Sequence, residues 1–571
     1  MSLDKKYDSS IIDVAQVGSI EDHVIASGYK DFNDKLDIAK YGETKRKLSS
    51  RHVSLMIIGQ SIGSGLFIGL SSPLMTSGSL SLLTGFIFWA VLVIWVLMQC
   101  IGEMCSYLPI KGSFLHFSAR FVDPALGFAV TLIYLYASCM FICLEATAFS
   151  STVKFWTGDK YNPGIFITVC LVCYFFFNIY GVNWYGEIEF FSSMLKVLLI
   201  VGLMLFALIS MCGGNPQHNA YGFQHWKEGG LARAYLVKGS TGKFLGWWNV
   251  LIYAAFSCGG PDLLALVSGE MRNPRKNVAL ASRRAYIRIY LFYFGGIFFM
   301  NTLCSSINPT LLAAAVNGSV GAAASPWVIG IKEVGVHGLD SLVNALIMSS
   351  VFSCGNAFFY GSTRTAYSAA LAGYLPRVFS RCLKNGCPIY CVVLTSLISC
   401  LAFLSISNST AVVFNWFINL ATTGLLCAYI CMWLSYFKFR RGLKAQGIDI
   451  NSDSYPYFRA TKFIMPLAYF GFFINVIVLI FNGFWIFFPG QFNVANLFTS
   501  YFAPVFFICL YVFWKVLKRT KIRTDDEVDL TTGKQEIDDE EVIELEYESN
   551  HVRKTGIVFK IWYAIADFCF N

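Results

Sequence analysis

The chain has 571 residues, of which 56% are hydrophobic and only 14% charged. A soluble protein of that length carries closer to a quarter charged residues, so the composition excludes an ordinary soluble globule. The net charge of +9 does not mark a nucleic-acid binder either, because the cations are spread between apolar runs.

In chain order, residues 1–50 read as a polar, mixed-charge tail without the pattern of a cleavable signal peptide. Apolar runs follow, each of roughly 20 residues, the length that crosses about 30 Å of hydrocarbon. Twelve spans are predicted: 53–76, 80–102, 126–152, 163–180, 190–211, 248–267, 287–306, 342–371, 389–406, 411–437, 464–485 and 496–517. Most of the 18 cysteines fall within these runs and read as small buried hydrophobes, not as a disulfide framework. Lys45, Arg46, Lys47 and Arg51 precede span 1, while Arg272, Arg275 and Lys276 follow span 6. Lys438, Arg440, Arg441 and Lys444 follow span 10. Positive loops of this kind place both termini in the cytoplasm. Two sequons, at Asn317 and Asn408, then fall outside as glycosylation candidates.

The expected organisation is a tail (1–50), a twelve-span core (51–517) and a second cytoplasmic tail (518–571). The acidic run from Asp525 to Glu548 looks too charged to pack a core. The closing stretch 552–570, with Ile561, Trp562 and Phe568, reads as an amphipathic segment for the inner leaflet headgroups, the alternative being a helix docked on the cytoplasmic face of the core.

Spans 1 and 6 are interrupted, at Gly63-Ser64-Gly65 and at Gly259-Gly260-Pro261. A hydrophobic segment can unwind in a membrane only where protein or a cavity meets the freed backbone groups, and such breaks point to a transporter's substrate site. Around Ser61, Ile62, Gly63, Ser64 and Gly65, freed N–H groups would hold an α-carboxylate, the glycines permitting positive φ and close approach. Around Phe256, Ser257, Cys258 and Gly259, freed carbonyls would hold an α-ammonium, with Phe256 as a gate. Asp262 completes this substrate-binding set. For the glycines the alternative is tight helix packing.

Ionisable groups within apolar runs are costly and usually functional. Glu145 in span 3 is the candidate proton carrier, the alternative being a structural partner to a hydroxyl or a backbone break. Lys196 in span 5 is a second coupling candidate, whose alternative is snorkelling to the interface beside Glu187 and Glu189. Glu103 is expected to pair with loop arginines. Asn415, Trp416 and Asn419 of span 10 are weaker candidates for the pocket wall. No Walker motif, hydrolase constellation or metal-ligand spacing occurs, so neither an enzyme nor a cofactor is expected.

Several motifs occur in a fixed order. Arg51-His52 precedes Gly59-Gln60-Ser61-Ile62-Gly63-Ser64-Gly65-Leu66-Phe67. Gly102-Glu103-Met104, Phe121-Val122-Asp123-Pro124, Gly186-Glu187-Ile188-Glu189-Phe190, Asn273-Pro274-Arg275-Lys276 and Gly355-Asn356 follow. Together they resemble fungal amino acid permeases of the amino acid–polyamine–organocation superfamily. The resemblance implies an all-α polytopic membrane protein with twelve transmembrane helices in a LeuT-like 5+5 inverted repeat, helices 1 and 6 being broken. It further implies a plasma-membrane, proton-coupled importer of an amino acid or close derivative that works by alternating access. Lys196 would replace the sodium ion of sodium-coupled relatives. Membrane lipids and a ubiquitin-ligase machinery acting on Lys5, Lys6, Lys30, Lys35 and Lys40 would be partners, and Cys569 a palmitoylation candidate. The sequence departs from the common Gly-Thr-Glu pattern at Gly260-Pro261-Asp262, which bears on substrate range. The other reading is a permease-fold sensor signalling through its tails; the short N-terminal tail favours a transporter.

Overall fold

The computed structural model describes residues 59–110, 112–158, 160–179, 182–259, 261–268, 274–316, 324–383, 386–407, 409–450, 457–532 and 534. The N-terminal lysines, Asn317, Asn408, Cys569 and the stretch 552–570 lie outside them. Among the described residues the regular structure is entirely helical.

The first predicted span is interrupted at 62–63. Residues 59–61 are helical, the chain bends at 62–63, and it resumes as α1 (Ser64–Phe67) and α2 (Ser71–Ser77). Helix α3 (Ser79–Trp89) passes through a π-helical stretch, Ala90–Trp95, into α4 (Val96–Tyr107). After α5 (Ser113–Phe117) come α6 (Pro124–Thr157), α7 (Pro163–Ile179), α8 (Val182–Met211) and the short α9 (Gln224–Lys227). The second interrupted span is α10 (Gly239–Ser257) with α11 (Pro261–Val267). Then follow α12 (Pro274–Leu303), α13 (Pro309–Val316), α14 (Pro326–Val334), α15 (Leu339–Leu371), α16 (Ile389–Ser399) and α17 (Leu404–Ser407). The last three are α18 (Thr410–Ala445), α19 (Ile464–Ile480) and α20 (Val494–Lys518).

Eight segments among the described residues are long and apolar enough to cross a membrane, and three apolar helices are shorter. The chain is thus a multi-pass membrane protein. Helix α6 is its axis: 89% of its most apolar window is buried, against 17% for α20 at the periphery. Asp123 caps α6 by accepting from the Ala125 N–H at 2.9 Å, and Pro124 supplies a first helical residue that needs no hydrogen bond. Its 34 residues span about 50 Å, more than the hydrocarbon needs, so its ends project beyond the bilayer core. Helices α15 and α18 make the most extensive contacts with it.

Helices outrun the predicted spans at several ends, because hydropathy marks only the portion that crosses lipid. Helix α12 begins at Pro274, so Arg275 and Lys276 lie in its first turn, not in a loop. Helix α10 starts at Gly239, and α18 continues to Ala445, carrying Lys438 to Lys444 within it. There Arg440 meets Glu103 of α4 at 3.0 Å, and Tyr436 donates to the same carboxylate at 2.9 Å. Glu103 is fully buried, and removing its cation would leave an uncompensated charge.

The start of the acidic run departs from its expected lack of packing. Val528 and Leu530 are buried, the first against Gly442 of α18. Arg120 donates to the carbonyls of Asp529 and Thr532 and pairs with the Asp529 carboxylate at 3.1 Å. Lys438 binds Asp525 at 2.7 Å. Two apolar side chains among the acids are enough to dock this segment once cations face its carboxylates. Asp529 feels burial opposing its ionisation, but the Arg120 charge and hydrogen bonds from Thr532 outweigh it and hold the carboxyl below its ordinary value.

Candidate functional site

The helical turn before the first break ends in four carbonyls that have no intrahelical partner. A side chain from a neighbouring helix meets each one. Lys196 Nζ of α8 donates to the Gly59 carbonyl, and the Cys354 thiol of α15 to that of Gln60 at 3.1 Å. The Tyr293 hydroxyl of α12 takes Ser61, and the Ser350 hydroxyl of α15 takes Ile62 at 3.1 Å. Lys196 is 1% exposed, so its ammonium points inward and does not snorkel.

On the other side of the break, the first N–H of α1 faces a carboxylate. The Ser64 hydroxyl donates to Glu145 Oε1 at 2.8 Å, and the Ser64 N–H approaches both Glu145 oxygens at 3.3 and 3.4 Å. Gly63, the residue at the bend, has φ −134°, and neither it nor Gly65 takes a positive φ. The glycines serve close approach instead. A Cβ on Gly63 would sit 2.5 Å from Cys354 Sγ and 2.9 Å from Glu145 Oε1; one on Gly65 would sit 2.6 Å from Ser257 Oγ.

The second break lies against the first. Helix α10 ends at Ser257, and the Gly259 carbonyl accepts from the Ser61 hydroxyl at 3.1 Å. Tyr293 bridges the two breaks, since its hydroxyl also reaches the Ser257 carbonyl at 2.6 Å. Pro261 opens α11, where a missing N–H costs no hydrogen bond.

Between the breaks is a cavity of about 20 Å³, room for a water or two. Ser61, Gly63, Gly65, Ser257 and Gly259 line it from the breaks, with Gln60, Glu145 and Cys354 beside them. Its apolar wall is Leu425 and three nearly parallel rings. Phe141 stacks on Phe358 at 4.3 Å and 2°, and on Phe256 at 6.1 Å and 9°.

The structure therefore gathers most of the expected site residues around one space. Ile62, Ser64 and Cys258 flank it without lining it. Asp262 lies elsewhere, fully buried, where it accepts from Gln60 Nε2 at 2.9 Å, Tyr134 at 2.8 Å and Tyr429 at 3.3 Å. It ties the first break, α6 and α18 to the start of α11. Of the span 10 candidates, none lines the cavity; Trp416 donates to Asn496 on α20. Phe141, Phe358, Cys354 and Tyr293 are participants that sequence reasoning misses. Glu189, noted in the sequence only as a neighbour of Lys196, is buried on α8 and does not line the cavity.

Two interrupted helices closing on a small cavity in a multi-pass membrane protein are the arrangement expected of a transporter. Residues 52–527 match the Amino acid permease family, and the chain belongs to it. It is 38% identical to the proline-specific permease of Emericella nidulans, over 88% of this chain and 90% of that protein. It is 34% identical to the dicarboxylic amino acid permease of Saccharomyces cerevisiae, over 87% of this chain and 81% of that one. With the lysine-specific permease of the same yeast it shares 33% identity, over 92% and 85% respectively.

Proposed function

We propose that the protein is a proton-coupled amino acid importer of the plasma membrane that works by alternating access, with both termini in the cytoplasm. Twelve spans in a 5+5 inverted repeat are the architecture proposed. The eight long apolar segments, the three shorter ones and the interrupted run at 59–77 support that number.

The observation that carries this reading is the hold of Glu145 on Ser64. A substrate's α-carboxylate would need the same N–H and hydroxyl. Two like charges about 4 Å apart repel by about 4 kcal/mol at the effective dielectric near a protein surface, roughly a thousandfold in occupancy. Substrate therefore binds when Glu145 takes up a proton, loses its charge and releases Ser64. The α-ammonium is then met by carbonyls at the end of α10, opposite in polarity to the N–H groups of α1. Lys196, on the Gly59 carbonyl, holds the place that a sodium ion would take in sodium-coupled transporters.

The cavity is too small for any amino acid, so binding requires the two breaks to separate. When they do, the side-chain end of the pocket meets Phe141, Phe256, Phe358 and Leu425, with no cation among its lining residues. That wall favours a compact neutral amino acid over an acidic one, in keeping with the similarity to a proline-specific permease.

The test is uptake of labelled amino acids by a transport-deficient host expressing the full chain, with and without a protonophore. Accumulation of a neutral amino acid that collapses with the proton gradient is expected. No accumulation of any amino acid, with the protein present at the surface, would overturn the reading.

A further inference from the structure

Glu189 is a buried carboxylate that the mechanism above leaves without a role. It lies on α8, seven residues before Lys196, two helical turns away on the same face. It is 0% exposed. Its Oε1 accepts from the Ser353 hydroxyl of α15 at 2.9 Å and from Ser193 at 3.4 Å, whereas Oε2 has no hydrogen-bond partner among the described residues. Gly59 is wedged between the two ends of this pair. Its carbonyl takes the Lys196 ammonium, and a Cβ on it would run into Glu189 Oε1.

A buried carboxylate with one orphaned oxygen is costly unless a cation balances it. Lys196 is the cation whose charge reaches both Glu189 and Glu145. Two carboxylates and one ammonium are neutral together only when one proton is added. Glu145 borders the cavity and Glu189 does not.

We propose that Glu189 is the resident counter-ion of Lys196, a positioning residue that keeps the ammonium on Gly59 and leaves Glu145 to carry the transported proton. This rests on the proton-coupled reading. With Glu189 neutralised, Lys196 becomes the counter-ion of Glu145, favours its ionised form and opposes proton loading at ordinary pH. The titratable groups facing this set are Cys354 from α15, Cys170 and Tyr174 from α7, and Tyr293 from α12.

The test compares the full chain with Glu189→Gln and Glu189→Asp in proteoliposomes, using a labelled mixture of the twenty amino acids. Two quantities are read: exchange against an unlabelled internal mixture, and accumulation driven by a pH gradient. Glu189→Gln is expected to keep exchange within about twofold, to lose about tenfold in gradient-driven accumulation, and to recover it when the outside is about one pH unit more acidic. Glu189→Asp is expected to restore accumulation in part. Accumulation by Glu189→Gln equal to that of the parent would overturn the proposal. So would a joint loss of exchange and accumulation at every pH that Glu189→Asp does not rescue. A parent whose accumulation ignores the gradient would instead sink the proton-coupled reading. Should Glu189→Gln fold poorly, melting of Glu189→Gln/Lys196→Gln decides: a counter-ion pair makes the double variant more stable than Glu189→Gln alone, and simple addition of two losses overturns it.

Discussion

The Ser64 hydroxyl lies 2.8 Å from Oε1 of Glu145, so a side chain from the most buried helix occupies the donors exposed where the first span unwinds. On the proposed reading, an acid that must give way to substrate would link the loading of a proton to the loading of cargo. Glu145→Gln imitates the protonated state permanently. It is expected to bind and exchange substrate while failing to accumulate it, and the medium should no longer turn alkaline when substrate is added. Unchanged alkalinisation would remove Glu145 from the coupling step.

Gly63→Val and Gly65→Val are expected to abolish uptake with surface delivery largely preserved. The added atoms would press on Cys354 and Glu145 in one case and on Ser257 in the other, including its backbone at 3.2 Å. Uptake and surface labelling measured in parallel check this. Transport retained by both variants would show that close approach of the two breaks is not required.

Asp262 is expected to matter more for stability than for affinity. Asp262→Ala leaves buried donors on Gln60, Tyr134 and Tyr429, each costing about 1–3 kcal/mol when orphaned. Asp262→Asn keeps a side-chain acceptor among these donors and is expected to lower the melting temperature less than Asp262→Ala. An Asp262→Ala variant as stable as the parent would contradict this assignment.

The docked segment around Asp529 is expected to loosen in Arg120→Ala, with faster amide exchange at Val528 and Leu530 at neutral pH. Docking holds the Asp529 carboxyl below its ordinary 3.8, so its contribution is complete above that value and is lost as the pH falls through the lower, docked one. In the parent, protection of these amides should therefore persist at neutral pH and decline only in strong acid. Exchange indifferent to Arg120→Ala would rule out the ion pair as the anchor.

Both breaks were legible in the sequence because glycine and proline interrupt otherwise unbroken apolar runs, and few other residue types carry so local a message. The lone acids and the lone lysine stood out for a similar reason, since charge within hydrocarbon is expensive. The aromatic wall could not be read in the same way. Phe141 and Phe358 are two of 52 phenylalanines, and in a helix buried on nearly every side hydropathy does not say which face meets a cavity. Tyr293 was hidden likewise, its role resting on where α12 crosses two distant bends. Asp262 was drawn to the substrate by its nearness in sequence to the second break, yet at the start of α11 its carboxylate meets Gln60, Tyr134 and Tyr429 and does not line the cavity.

The first break ends in four successive carbonyls answered from α8, α12 and α15. A helix end moored to three separate neighbours has no cheap halfway position, since any partial swing strands several oxygens at once. If the breaks part as proposed above, half-open geometries are the costly ones, and the moorings that resist opening would also resist leak.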